Sequence, residues 1–274
     1  MKNIIEKARN FKYTSFNYID EEDLAGTVVD NISEGYICLY KKQLNRIQLY
    51  WAANSENELI KGLEKSMDNI SKGKKEKFFI EFVPEELIEE LEKNDFRIVS
   101  EWTDFWKKDL SLENIELKQT YEIREAMAKD YDVISEIAES CVGYSREFAM
   151  GLVHKDFIEE WVKDINSTIL VTEINDTVVG AIFLNIYGQE SEKGAVLWIR
   201  ELCVNPEYHS KGIAQALLYK GIKGGELNGA KRSFLSVDIE NMPAIKIYER
   251  FGYRKSEERG QINMEGELYE FNEL

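Results

Sequence analysis

The stretch Val196 to Glu226, reading VLWIRELCVNPEYHSKGIAQALLYKGIKGGE, leaves this chain fewer folding choices than any other. Val196 to Val204 is an apolar run rich in β-branched and aromatic residues, the composition of a buried strand. Pro206 ends it, since proline cannot donate to a continuing ladder. After a short polar loop, His209-Ser210-Lys211-Gly212-Ile213-Ala214 opens a helix. Its positions Ala214, Leu218 and Ile222, with Ile213 and Leu217 beside them, form one apolar face.

The first N–H groups of a helix have no intrahelical partner, and the helix dipole adds partial positive charge there, so an anion suits this turn. Gly212 and Ala214 keep bulk low where a phosphate would approach the backbone, and Ser210 and Lys211 add a hydroxyl and a cation. Gly212 alone reads better as an ordinary strand-to-helix turn with a permissive glycine; its neighbours favour binding. The segment from Val204 and Pro206 through Tyr208 to Ala214 resembles the acetyl-CoA signature of the GNAT N-acetyltransferases, a Val-x-Pro strand end followed by an Arg/Gln-x-x-Gly-x-Gly/Ala loop. His209 stands where Arg or Gln is commoner, and Ser210 where many members carry glycine. A second segment, Asn241 to Tyr253, is similar to the family's Asn-x-x-Ala-x-x-x-Tyr-x-x-x-Gly-Phe/Tyr helix. The resemblance covers roughly the last 150 residues, a usual domain length.

At 274 residues, 43% hydrophobic, the chain is long enough for two domains. A net charge of −16 argues against a nucleic-acid surface and against an anionic membrane. It is a mild pointer to a cationic acceptor, although solvated acidic helices such as Glu85 to Glu92 account for most of it. No run approaches the length of a membrane span, and the N-terminus lacks a signal-peptide core, so a cytoplasmic location is expected. Cys38, Cys141 and Cys203 form neither a disulfide framework nor a zinc pattern. His154 and His209 are the only histidines, so no multi-histidine metal site exists, and no Gly-x-Ser-x-Gly elbow accompanies them. No metal is expected.

Along the chain, a short helix is expected over Ile4 to Phe11 and a polar turn near Asp20 to Asp23. Tyr36 to Tyr40 and Ile47 to Trp51 read as strands, and Ser55 with Glu58 as a capping box opening a helix through Leu59, Leu63, Met67 and Ile70. Lys77 to Val83 is a further strand, Pro84 starts a helix that Asn94 closes, and Phe96 to Trp106 reads as a strand pair turning near Glu101 to Asp104. This order repeats the order after Val196, so residues 1–115 are expected to form a degenerate copy of the acetyltransferase fold. Ala52 to Glu58 contains no glycine and no basic residue, and carboxylates there would repel a pyrophosphate. This copy is expected not to bind CoA and to serve as a scaffold or as one wall of the acceptor pocket.

The polar stretch Ser111 to Thr120 marks the boundary, and residues 116–274 are the expected catalytic domain. Tyr121 to Glu125 reads as a strand, Tyr131 to Cys141 as a helix, Gly143 to Gly151 as a loop and Phe157 to Val162 as a helix. Thr168 to Glu173 and Val178 to Tyr187 form a hairpin about Asn175-Asp176, Phe234 to Ile239 is a strand, and Leu268 to Phe271 closes the sheet. The fold class is α/β in the α+β sense: two tandem acyl-CoA N-acyltransferase-like domains, each a mixed, mainly antiparallel sheet flanked by helices.

The resemblance implies that acetyl-CoA is the cosubstrate, clamped by His209, Ser210, Lys211, Gly212, Ile213 and Ala214. It also implies that backbone groups of Leu202, Cys203 and Val204 pair with the pantetheine arm as an added strand. Asn241 sits where the family's asparagine contacts the cofactor, a position indistinguishable from a helix cap. Tyr248 matches the tyrosine that protonates the leaving thiolate, with a phenol pKa near that of a thiol. Glu201, a carboxylate in an otherwise apolar strand, is the candidate base: desolvation would raise its pKa toward what amine deprotonation needs. A structural pairing with Arg200 or another basic residue is an equal reading, and because a backbone water chain can replace a dedicated base, a catalytic glutamate is not obligatory. Cys203, without a partner histidine, is expected to be inert. Trp161, Trp198, Tyr187 and Tyr144 are acceptor-pocket candidates, though aromatics at such spacing are more often core. The expected reaction is direct transfer of acetyl to a primary amine of a small molecule. A tandem-fold acyl or aminoacyl transferase on another acceptor, or a non-catalytic CoA-binding sensor, remain the alternatives.

Overall fold

The computed structural model describes every residue except 20, 22, 44, 142–152 and 268–274. The chain forms two compact units, Met1–Glu101 with Arg259–Leu274, and Trp102–Glu258.

The first unit contains α1 (Lys2–Arg9), β1 (Tyr13–Thr14), β2 (Val28–Ile32), β3 (Tyr36–Lys42), β4 (Ile47–Ala53), α2 (Glu56–Ser71), β5 (Lys77–Ile80), α3 (Ile88–Lys93) and the first half of β6 (Phe96–Lys107). Strand β13 (Ile262–Glu267), from the C-terminal segment, lies between β5 and that half of β6, antiparallel to both. Ladders β2–β3 and β3–β4 are antiparallel, whereas β4 and β5, joined through α2, run parallel. Ser55 caps α2 as its spacing predicts, accepting the Glu58 N–H, and Leu59, Leu63, Met67 and Ile70 turn into the core.

The second unit contains the rest of β6, β7 (Ile123–Glu125), α4 (Tyr131–Ser140), α5 (Lys155–Trp161), β8 (Ser167–Ile174), β9 (Thr177–Tyr187), β10 (Val196–Val204), α6 (Ile213–Leu227), β11 (Arg232–Asp238), α7 (Met242–Arg250) and β12 (Arg254–Lys255). Strands β7, β8, β9 and β10 are antiparallel neighbours, β10 and β11 run parallel across α6, and β11 is antiparallel to the second half of β6. Asn175 and Asp176 both adopt positive φ, as a tight hairpin turn requires. One face of this sheet packs on α6 and α7 through Ile182, Leu184, Leu197, Leu217 and Ile222. The other packs on α4 and α5 through Ile134, Ile158, Val171 and Phe183.

Both units therefore repeat one connectivity: antiparallel pair, helical crossover, parallel neighbour. The fold is a mixed, mainly antiparallel sheet flanked by helices, as read from the sequence. Three details differ. Phe96–Lys107 is one strand, because the segment has no glycine, proline or asparagine to turn on and instead changes partners at Glu101 and Trp102, from β13 to β11. The units divide there rather than at Ser111–Thr120, and the C-terminal segment returns to the first unit, where Ile262 and Met264 are buried. Strand β13 precedes the expected Leu268–Phe271, which lies outside the described residues, as does the loop expected over Gly143–Gly151.

Candidate active site

Strands β10 and β11 pair only from Val196 with Arg232 to Trp198 with Phe234. Beyond Trp198 they part, and a β-bulge against β9 between Ile199 and Glu201 makes Arg200 the extra residue. The parting opens a cleft of about 1010 Å³ lined by β10, the Tyr208–Gln215 turn, the end of β11 and the first turns of α7. Leu202 and Val204 retain their β9 partners, Ile182 and Gly180, and present their other edge to the cleft.

At the cleft's far end α6 begins. Gly212 is its N-cap with φ 85°, Ser210 has φ 62°, and no side chain caps the helix; the first intrahelical bond is Ala216 N–H to the Gly212 carbonyl. The glycine is required by this left-handed backbone rather than by crowding, since a Cβ there would meet nothing within 4 Å. Gly212, Ile213, Ala214 and Gln215, the start of this uncapped helix, line the cleft. Around the cleft stand Lys118, Arg200, Lys211 and Arg250, a cationic lining in a chain of net charge −16. Lys211 is steadied over the Tyr208 ring at 4.4 Å, its carbonyl accepts the Tyr121 hydroxyl, and Arg250 reaches Gln215 and the Glu116 carbonyl.

Of the residues singled out from the sequence, Glu201, Leu202, Val204, His209, Ser210, Lys211, Gly212, Ile213, Ala214, Asn241 and Tyr248 all line this cleft. Cys203 does not: its side chain is buried in the α4–α5 core, where desolvation pushes the thiol pKa up, and only its backbone faces the ladder. His209 Nε2 lies 2.7 Å from the Val204 carbonyl, which also accepts the Cys141 thiol, so the histidine ties the turn to the strand end. Asn241 caps α7 through the Ala244 N–H at 3.3 Å while lining the cleft.

Glu201 accepts the Leu202 N–H at 3.2 Å, and burial raises its pKa against the opposing pull of Arg200. Tyr248 is buried at 8% exposure, stacked edge-on to Tyr253 at 6.0 Å. Burial, reinforced by the Glu201 charge, lifts its phenol well above the ordinary value, so the match to a thiol expected from the sequence is absent and Tyr248 stays a neutral donor. Trp161 and Trp198 do not line the cleft but pack against each other and Phe183; Tyr187 is 40% exposed, and Tyr144 lies outside the described residues. Sequence reading missed Lys118, Tyr121 and Arg250 as cleft residues. The first lies in what reads as a polar linker, and no local pattern marks any of them. Among the described residues no group of three His, Cys, Asp or Glu side chains could hold a metal, and no helix is long and apolar enough to cross a membrane.

Residues 131–253 match the family model described as Acetyltransferase (GNAT) family. An uncharacterized N-acetyltransferase of Methanocaldococcus jannaschii is 27% identical over 158 residues, 56% of this chain and 70% of that protein. The spermine/spermidine N(1)-acetyltransferase of Bacillus subtilis is 30% identical over 89 residues, 32% of this chain and 56% of that protein. A crystal structure of a GCN5-related N-acetyltransferase from Sphaerobacter thermophilus has a similar fold, with TM-score 0.59 at 15% identity over 96% of this chain and 89% of the other.

Proposed function

We propose that this chain, whose residues 131–253 match the acetyltransferase (GNAT) family model, is an acyltransferase of that family and moves acetyl from acetyl-CoA to a primary amine of a small molecule by direct transfer. The observation that carries this is the uncapped N-terminus of α6 at Gly212, at one end of a cleft whose wall is the open edge of β10. Those residues fit the cosubstrate: the N–H groups of α6, with Lys211, would hold its phosphates, and the Leu202 and Val204 edge would hold its amide-bearing arm. Bound there, acetyl-CoA supplies an activated thioester carbonyl. Glu201 takes the proton of the incoming ammonium, and Tyr248 donates a hydrogen bond toward the departing sulfur. The similarity to a spermine/spermidine acetyltransferase supports a small amine as acceptor.

We also propose that the first unit, degenerate in its cofactor loop, binds no CoA. After Leu49, the last residue of β4 paired with β5, the free edge of β4 is filled by the chain itself: Thr14 pairs with Ala52 and Tyr13 with Ala53. The Ser15 hydroxyl donates to the Trp51 carbonyl and accepts its N–H. Helix α2 is capped by Ser55 and carries Glu56 and Glu58 in its first turn, which repels an anion.

Calorimetric titration of the full chain with acetyl-CoA tests both statements. One site per chain is expected, abolished in Gly212→Glu, which puts a carboxylate in front of the α6 N–H groups. Two sites would overturn the silent first unit, and no binding would overturn the acetyltransferase reading.

A further inference from the structure

Of the four Lys and Arg side chains among the described residues that line the cleft, Arg200 is the one on β10, next to Glu201. The chain as a whole carries 51 acidic against 35 basic residues. Arg200 is half-buried at the bulge of β10 and lines the cleft, yet no carboxylate lies within 4.0 Å of its guanidinium among the described residues. Its neighbours are apolar instead: the Phe157 and Trp198 rings, each 5.8 Å from the guanidinium carbon. Those rings are themselves fixed, since Trp161 packs on Phe157 at 5.7 Å and on Trp198 at 5.7 Å. Cation–π contacts of this kind back the guanidinium while leaving its N–H groups to bind something else.

The next residue, Glu201, carries the opposite charge into the same cleft and acts on Arg200 only through space. We propose, building on the acetyltransferase reading, that Arg200 is the specificity-determining residue for an acceptor bearing a carboxylate, an amine of the amino-acid type. The acceptor's ammonium meets Glu201 and its carboxylate meets the guanidinium as a bidentate pair. A zwitterion matches this dipeptide in both signs. A polyamine does not, because one of its ammonium groups would face the Arg200 guanidinium.

Initial rates of CoA release from acetyl-CoA by the full chain decide the matter, with the twenty proteinogenic amino acids, the carboxamides of phenylalanine, leucine and alanine, and spermidine as acceptors. At least one free amino acid is expected to turn over, with its carboxamide and spermidine at least about tenfold poorer in kcat/KM. In Arg200→Gln, KM for that amino acid rises about 10- to 100-fold, the value of a hydrogen-bonded charge pair, while KM for its carboxamide changes far less and the Kd for acetyl-CoA holds. Arg200→Lys restores part of the loss. Preference for spermidine or the carboxamides, no turnover of any free amino acid, or an equal loss on amino acid and amide in Arg200→Gln overturns the proposal. If acetyl-CoA binds in the same preparation, such a result leaves the acetyltransferase reading standing; if it does not bind, both fall.

Discussion

Glu201 sits in the cleft against its own electrostatic preference. Burial raises its pKa, and the Leu202 N–H and the Arg200 charge recover only part of what desolvation costs. A carboxyl whose folded-state pKa lies above its unfolded value binds more protons in the native state over the interval between the two. Its contribution to stability is therefore complete below the ordinary carboxylate value and is lost as pH climbs through the raised value. Glu201→Gln removes that loss while keeping an oxygen to accept the Leu202 N–H. The variant should melt higher than the parent at neutral pH and equally at acidic pH, as followed by circular dichroism. It should also lose most turnover, together with the limb of the pH–rate profile that rises through Glu201 ionisation. A variant less stable than the parent at neutral pH would show that the charged form is structurally required.

At the scale of elements, the two crossover helices show how one connectivity yields one open and one closed terminus. Helix α2 uses Ser55 and Glu58 to satisfy its own N-terminus, whereas α6 begins on a left-handed glycine with no side-chain cap. The second arrangement gives up the stabilisation a cap supplies, about 1 kcal/mol, and keeps the N–H groups available. Gly180 and Gly225 let α6 lie close to the sheet: a Cβ on Gly180 would come within 3.2 Å of the Cys203 carbonyl, and one on Gly225 within 2.7 Å of Leu197. Gly212→Ala should separate conformation from space. The left-handed backbone costs an alanine about 1–2 kcal/mol, a drop of a few degrees in melting temperature, although nothing in the ligand-free turn clashes with the added methyl. Acetyl-CoA affinity should fall with it; an unchanged affinity would place the anion elsewhere.

For the whole molecule, strand membership is the decisive fact. The first unit needs β13 from the C-terminal segment, and the second needs residues 102–107 from β6. Separate expression of residues 1–115 and 116–274 should therefore fail. The first piece lacks the strand carrying Ile262 and Met264, and the second lacks the β11 partner carrying Phe105. Co-expression should restore a soluble pair, read by size-exclusion chromatography and protease resistance; two pieces that each resist protease alone would contradict the strand assignment.

Local chemistry wrote most of the elements legibly. Apolar runs of the right length marked β3, β4, β9 and β10, Ser55 and Asn241 marked helix starts, and the glycine turn at Gly212 marked the start of α6, because each signal is contained in a few consecutive residues. What nearby residues do not encode had to come from the tertiary structure. The unbroken β6 depends on partners far along the chain, and the aromatic backing of Arg200 joins α5 to β10. The plugging of the β4 edge by Tyr13 and Thr14 and the recruitment of Lys118, Tyr121 and Arg250 to one cleft are likewise long-range. The pKa of Tyr248 was misjudged from its residue type for the same reason: desolvation is a property of everything packed around a group, and no stretch of sequence carries it.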